Sequence, residues 1–311
     1  MLLNFSSRVV ALFLAIALIP FSASAIIVQL DYTYDTSNFF DVGTAARDRL
    51  EDAAEFYEDL LLDDLDAITP TANYTPPFFQ ANSWEVSFTN PSTGNPQTVA
   101  DLIVPEDTVI IYVGAQSFSG TQLAEAGFGG AASFGTADWN NTVTTRGESG
   151  VGTTDFAPWG GFLSVDNGTT WDTSVDGNGT DQHLFSTLLH EIAHVLGLGS
   201  APSWDAQVNL SGEFTGAAAI ADYGSNVPLG FSSDTGRYDH WATGLTSNIW
   251  GTTTPQEVAL DPDIVSGEVK LMTYLDIAGL DDLGWDIAPI PEPSHLALLG
   301  CGVLLLLRRR R

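Results

Sequence analysis

The stretch "HEIAHVLGLGS", residues 190–200, holds the residues best suited to chemistry. A helix advances about 100° per residue, so His190 and His194 share one face, one turn apart. Both imidazoles can reach a single metal ion, about 2.0–2.1 Å from each nitrogen if the ion is zinc. Glu191 follows the first of them and is placed to hold a metal-bound water. Zinc lowers the pKa of such a water towards about 7, and the carboxylate takes its proton. The hydroxide can then attack a peptide carbonyl that the metal polarises. Leu188, Ile192, Val195 and Leu196 lie on the opposite face and are expected to enter the core. The chain has only five histidines. Two of them at this spacing around a glutamate form a specific signal.

Gly197 comes three residues after His194. A chain that turns sharply after the second ligand needs glycine there, because the left-handed backbone is open to it. Up to this point "HExxHxxG" resembles the metzincin clan of zinc proteases. In most metzincins the third ligand follows three residues after the glycine, where this chain has Ser200, a poor zinc ligand. The third ligand must then come from elsewhere. His295 lies in the C-terminal tail. His183 stands two turns before His190, about 10.5 Å along a helix, too far to close a compact site; it reads as a helix-terminal or surface histidine. His240 remains, in "GRYDHWATG", 46 residues beyond His194.

This arrangement resembles the leishmanolysin-like metzincins, in which a long insert separates the second and third histidines and a tryptophan follows the third. The resemblance is specific over about 182–285 and looser over 26–180. It implies a secreted zinc metalloendopeptidase with one Zn2+ held by His190, His194 and His240, and with Glu191 as general base and acid. It also implies that Met272, in "EVKLMTYLD", is the apolar floor beneath the metal. Tyr274 lies two residues beyond Met272. In astacin- and serralysin-like members a tyrosine at that offset ligates zinc or stabilises the oxyanion, whereas leishmanolysin-like members do not generally use one. The other reading of Tyr274 is a packed aromatic at a helix start.

The elements that must position these residues follow from periodicity. "IIVQLDYTYD" (26–35) reads as a first strand. Over 44–65, Leu50, Ala54, Tyr57, Leu61 and Leu65 recur at three or four, giving an amphipathic helix. "SWEVSFT" (83–89), "DTVIIYVGA" (107–115) and "GGFLSVD" (160–166) read as strands. The glycine-rich "GFGGAASFG" (127–135) and the polar run 167–182 read as loops. A helix is expected over 182–198, capped by Thr180 or Asp181, and a short one within 216–224 inside an otherwise glycine- and serine-rich stretch from 200 to 240. A last helix is expected over 274–285. The order indicates an α+β fold; the resemblance implies two lobes across a cleft, with a twisted mixed sheet above and a loop-rich part below. The segments 126–130 and 159–167 are candidates for the cleft's upper rim, where an extended substrate would add as a strand.

Three parts divide the chain. Residues 1–25 read as a signal peptide: Arg8, the apolar "VVALFLAIALIPF", then small residues ending at Ala25. Residues 26–288 form the enzyme-like domain. Residues 289–311 combine Pro-Glu-Pro, an apolar run over 296–307 and Arg308 to Arg311. This tail resembles the PEP-CTERM sorting signal, which implies export, recognition by inner-membrane sorting machinery, a transient or retained membrane segment, and a cell-surface or extracellular destination. Between 26 and 290, 38 acidic residues face five basic ones. That excludes the basic footprint nucleic-acid binding needs; the metzincin resemblance implies proteins or peptides as partners. The sole cysteine, Cys301, is in the tail, so the domain can hold neither a disulfide nor a thiolate metal site.

Asp166, Asp172, Asp176 and Asp181 lie in a loop rich in glycine and asparagine and are candidates for Ca2+, with a plain solvated loop as the alternative. Two other functions compete with the protease: a non-catalytic surface or matrix binding protein on a protease-like fold, and a zinc hydrolase of non-peptide amide or ester bonds.

Overall fold

The computed structural model describes residues 25–73, 80–177, 179–233 and 235–290. The expected leader over 1–25 (Ala25 apart) and the tail from 291, with His295 and the arginine cluster, lie outside the described residues. Among the described residues no helix is long and apolar enough to cross a membrane.

The fold is mixed α+β, with six helices and several sheets among the described residues. The central sheet has the order β1 (Ile27–Asp31), β5 (Thr108–Gln116), β8 (Gly160–Asp166), β6 (Ala124–Phe128). The first three are parallel, and β6 is an antiparallel edge strand. The unbroken apolar run of β5 is explained by burial on both faces. Val109, Ile111 and Val113 join the core cluster beneath the helices; Ile110 and Tyr112 join a second cluster with Trp84, Phe88 and Trp159.

A second sheet comprises β2 (Thr71–Asn73), β3 (Gln80–Thr89), β4 (Pro96–Ala100) and β7 (Gly130–Phe134), with β3 pairing all three others. The expected loop over 127–135 is thus two strands, β6 and β7, on either side of Gly129. The glycines there admit close packing rather than a turn. A Cβ on Gly129 would lie 2.0 Å from the Trp159 ring, and one on Gly161 would lie 2.1 Å from the Gly127 carbonyl.

Helix α1 (Ala45–Leu60) is capped by Thr44 and buries Leu50, Ala53, Ala54, Tyr57 and Leu60. It stops five residues short of expectation. Leu61 turns extended, bridges Ile287, and leaves Leu62 donating to the Asp286 carbonyl at 2.9 Å. Leu61 and Leu65 are still buried, as the periodicity required, but on extended chain. Helix α2 (Ala137–Thr145) follows β7.

Helix α3 (Leu184–Val195) runs beside α1 and β6 and buries ten of its twelve residues. It is therefore enclosed on nearly all sides, not only on the face of Leu188, Ile192 and Val195. Its cap is His183 rather than Thr180 or Asp181. The His183 Nδ1 accepts from the Ser186 amide at 3.4 Å and lies 2.7 Å from its hydroxyl; Nε2 lies 3.0 Å from the Ser174 carbonyl. These bonds hold the ring inside the protein, which overturns the surface alternative. Ahead of α3, β9 (Trp171–Asp172) and β10 (Gln182–His183) pair in parallel.

The stretch from 200 to 240 is more regular than its composition suggested. It contains α4 (Pro202–Ala206), β11 (Glu213–Phe214), α5 (Ala217–Tyr223), β12 (Val227–Ser232) and most of β13 (Arg237–Trp241), with β11-β12-β13 forming one antiparallel sheet. Strands β14 (Thr246–Asn248) and β15 (Pro255–Glu257) make a hairpin. Helix α6 (Tyr274–Leu283) closes the fold; Thr273 and Asp276 form a capping box at its start, and Gly284 ends it in the left-handed conformation.

Candidate metal centre

Helix α3 carries His190, Glu191 and His194; β13 brings His240 to them. The three Nε2 atoms lie 3.0 Å (His190–His194), 3.2 Å (His190–His240) and 3.2 Å (His194–His240) apart. They are the one group of three metal-capable side chains that converges among the described residues. A tetrahedral ion bound at about 2.0–2.1 Å needs nitrogens about 3.3 Å apart, so the donors stand within a few tenths of an ångström of that requirement.

The other ring nitrogens fix what these three can do. His190 Nδ1 is 2.7 Å from the Ala259 carbonyl, His194 Nδ1 2.8 Å from the Leu198 carbonyl, and His240 Nδ1 2.8 Å from the Asp239 carboxylate. Each of these partners can only accept, so each Nδ1 carries the proton. In the neutral rings every Nε2 is then a bare lone pair. Three lone pairs aimed at one point repel unless a cation lies between them, which is the arrangement that a metal ion completes.

Electrostatics favours the neutral form of the two helix histidines. Burial, then the fields of His194 and His240, hold His190 well below the usual histidine range. Burial, then His240, lowers His194 to about 4. A metal ligand must be unprotonated, so this environment suits the task. Glu191 is buried, and its carboxylate accepts no hydrogen bond from the described residues. Burial, then the charge of Glu125, pushes it up to about 8.

The turn after α3 explains how β13 approaches. Gly197 (φ 103°) and Gly199 (φ 73°) both lie in the left-handed region. A Cβ on Gly199 would stand 1.9 Å from the Asp239 carbonyl oxygen. Glycine at 199 is thus what lets the strand carrying His240 lie against the end of the helix. Ser200 is no ligand: its hydroxyl donates to the His194 carbonyl at 3.0 Å, closing the helix end. Arg237 ties the two segments from outside, donating to the Ser200 carbonyl at 3.0 Å and to Asp205 at 2.8 Å.

Met272 is buried, its Sδ 3.4 Å from the Tyr57 hydroxyl, which donates to the Leu189 carbonyl of α3 at 2.6 Å. The sulfur thus lies next to a hydroxyl that is bonded to the helix carrying His190 and His194. Tyr274 opens α6 and packs on Trp250, ring centroids 4.9 Å apart, with no hydrogen bond to the histidines. Of the acidic loop, Asp166 is engaged locally by the Phe118 amide and Thr169, and Asp172 by Ser174. Among the described residues those carboxylates do not converge into a group of three.

Sequence reasoning missed the partners that orient the ligands. Asp239 is the clearest: one oxygen accepts from His240, the other from the Thr235 hydroxyl. Burial works to raise its carboxyl, but these bonds outweigh it and hold Asp239 below its ordinary range. Its position next to His240 was the available signal. No protein-family model matches the chain, and no curated protein matches it.

Proposed function

We propose that this protein is a zinc-dependent endopeptidase of metzincin type, of the leishmanolysin-like branch, acting outside the cytoplasm. The observation that carries the reading is the convergence of three proton-free Nε2 atoms beside a buried, unpartnered glutamate. Three imidazoles suit zinc and leave a further position for water or substrate. Zinc, when bound, would supply a Lewis acid and lower the pKa of a bound water.

The chain's own residues would do the rest. Glu191 takes a proton from the attacking water and returns it to the leaving amine, a role that fits a carboxyl lifted by burial. The carbonyls of Ala259 and Leu198 and the Asp239 carboxylate hold the rings in one tautomer and orientation. The free edge of β6, alongside α3, offers main-chain groups to an extended substrate. In this reading the central sheet with α1 and α3 is the upper lobe, and the segment from β11 to α6, with Met272, the lower.

The test is zinc content and casein hydrolysis of the purified protein beside Glu191→Ala. About one zinc per chain in both, with hydrolysis in the parent alone, is the expected result. A zinc-loaded parent inert on casein but active on esters would move the assignment to non-peptide hydrolysis; a parent inert on both would leave a binding protein.

A further inference from the structure

Asp276, in the first turn of α6, is completely buried. A lone carboxylate there must be satisfied by donors, and five converge on it. One oxygen accepts from the Trp241 indole at 3.0 Å and the Leu260 amide at 3.0 Å. The other accepts from the Ala259 amide at 2.9 Å, the Thr273 amide at 2.8 Å and the Thr273 hydroxyl at 2.7 Å. A capping box accounts for the bond from the Thr273 amide, and the bond from its hydroxyl is local to the same turn. It does not account for the other three, which reach 16, 17 and 35 residues along the chain.

The donors share one property. Each belongs to a residue that holds or adjoins a histidine, the backbone partner of one, or Met272. Ala259 is the residue whose carbonyl takes the His190 Nδ1 proton. Trp241 follows His240 in β13, and its amide donates to the Leu260 carbonyl at 3.1 Å. Thr273 follows Met272. Three segments distant in sequence thus meet on two oxygen atoms.

We propose that Asp276 is a positioning residue of the metal centre: its carboxylate joins the segments bearing His240, the partner of His190, and Met272 into one rigid unit. The inference rests on the metal-site reading above but not on the substrate. Asparagine in its place would keep one acceptor oxygen and turn an amide NH2 towards two or three of the donors. The Ala259 and Trp241 segments would then separate, and two of the three histidines would lose their fixed orientation.

The experiment compares the full-length parent with Asp276→Asn, Thr273→Val and Asp282→Asn. Asp282 is a control on the same helix: it accepts from the Ala218 and Ala219 amides at 2.8 Å each, away from the histidines. Co2+ affinity is measured by chelator competition, with the visible spectrum of the bound ion and thermal unfolding of the metal-free proteins. Asp276→Asn is expected to weaken Co2+ binding about 10–100-fold, the range for losing a partner of a ligand, and to alter the spectrum. Asp282→Asn is expected to lower the unfolding midpoint and bind Co2+ as the parent does. Parent-like affinity and spectrum in Asp276→Asn would overturn the inference, as would an equal loss in Asp282→Asn. Should Asp276→Asn not fold, Thr273→Val decides: it deletes one donor and keeps both oxygens, and unchanged Co2+ affinity there would overturn the inference too. A parent that binds no Co2+ would instead defeat the metal-site reading itself.

Discussion

Replacing Gly199 by alanine should destroy the metal site while leaving every ligand in the sequence. The added Cβ would lie 1.9 Å from the Asp239 carbonyl oxygen and 2.7 Å from its carbon. Ordinary carbon–oxygen contact begins at about 3.3–3.6 Å, so β13 would have to retreat by more than about 1 Å. His240 is the next residue along that strand. Metal–ligand distances tolerate only about 0.2 Å, so the third imidazole would leave the coordination sphere. Metal affinity should fall by more than about 100-fold, beyond the effect of losing a ligand's partner. Backbone strain must be separated from this collision, since Gly199 has φ 73°. Gly236 supplies the control. It stands just before β13 at φ 68°, and a Cβ there would meet nothing within 4 Å. Gly236→Ala should therefore incur only the left-handed penalty of about 1–2 kcal/mol, seen in urea unfolding, with metal affinity unchanged. Equal affinities for the parent and Gly199→Ala, by chelator competition, would refute the reasoning; so would equal losses in the two alanine variants.

Other expectations follow from the same contacts. Asp239→Ala removes the acceptor of the His240 Nδ1 proton and should weaken zinc binding by about 10–100-fold in a competition titration; an unchanged affinity would show that the carboxylate does not orient the ring. Lys270, the only lysine in the chain, is buried with its ammonium 2.8 Å from Glu257 and 3.5 Å from Asp261, so Lys270→Met should lower stability by about 3 kcal/mol or more in denaturant unfolding, and a neutral effect would contradict this. Glu191→Gln should behave in the opposite sense in the chelator-treated protein. A carboxyl raised to about 8 on folding favours the folded state below the unfolded value of about 4.3 and loses that contribution as pH rises through about 8. The glutamine protein should therefore match the parent near pH 4 and exceed its stability by about 3 kcal/mol at pH 7; curves that coincide at both pH values would contradict the burial argument.

Much of the centre was legible because helix geometry is local. His190, Glu191 and His194 needed only the 3.6-residue repeat to be placed on one helix, and the shortage of histidines left His240 as the remaining candidate. The turn at Gly197 was legible in outline, but the reason for Gly199 was not. Its constraint is an approach by Asp239, 40 residues away, and no local pattern records such a contact. The same limit hid the cap of α3. Thr180 and Asp181 are favoured capping types, yet His183 is held in place by Ser174 and Ser186. Helix α1 ended early because pairing with residues 286–288 outweighed a continuing apolar repeat. The glycines of 127–135 suggested a loop by composition, whereas the stretch forms two strands with Trp159 packed over Gly129 between them. In each case a tertiary contact decided what local propensity left open.

In the proposed centre three histidines hold one metal ion through Nε2. X-ray absorption at the zinc edge of the purified protein, beside His240→Ala, tests that most directly. The expected parent result is one zinc per chain with three imidazole nitrogens at about 2.0–2.1 Å, reduced to two or lost in the variant. An unchanged three-nitrogen shell in His240→Ala, or a parent without zinc when prepared in its presence, would contradict ligation by these three histidines.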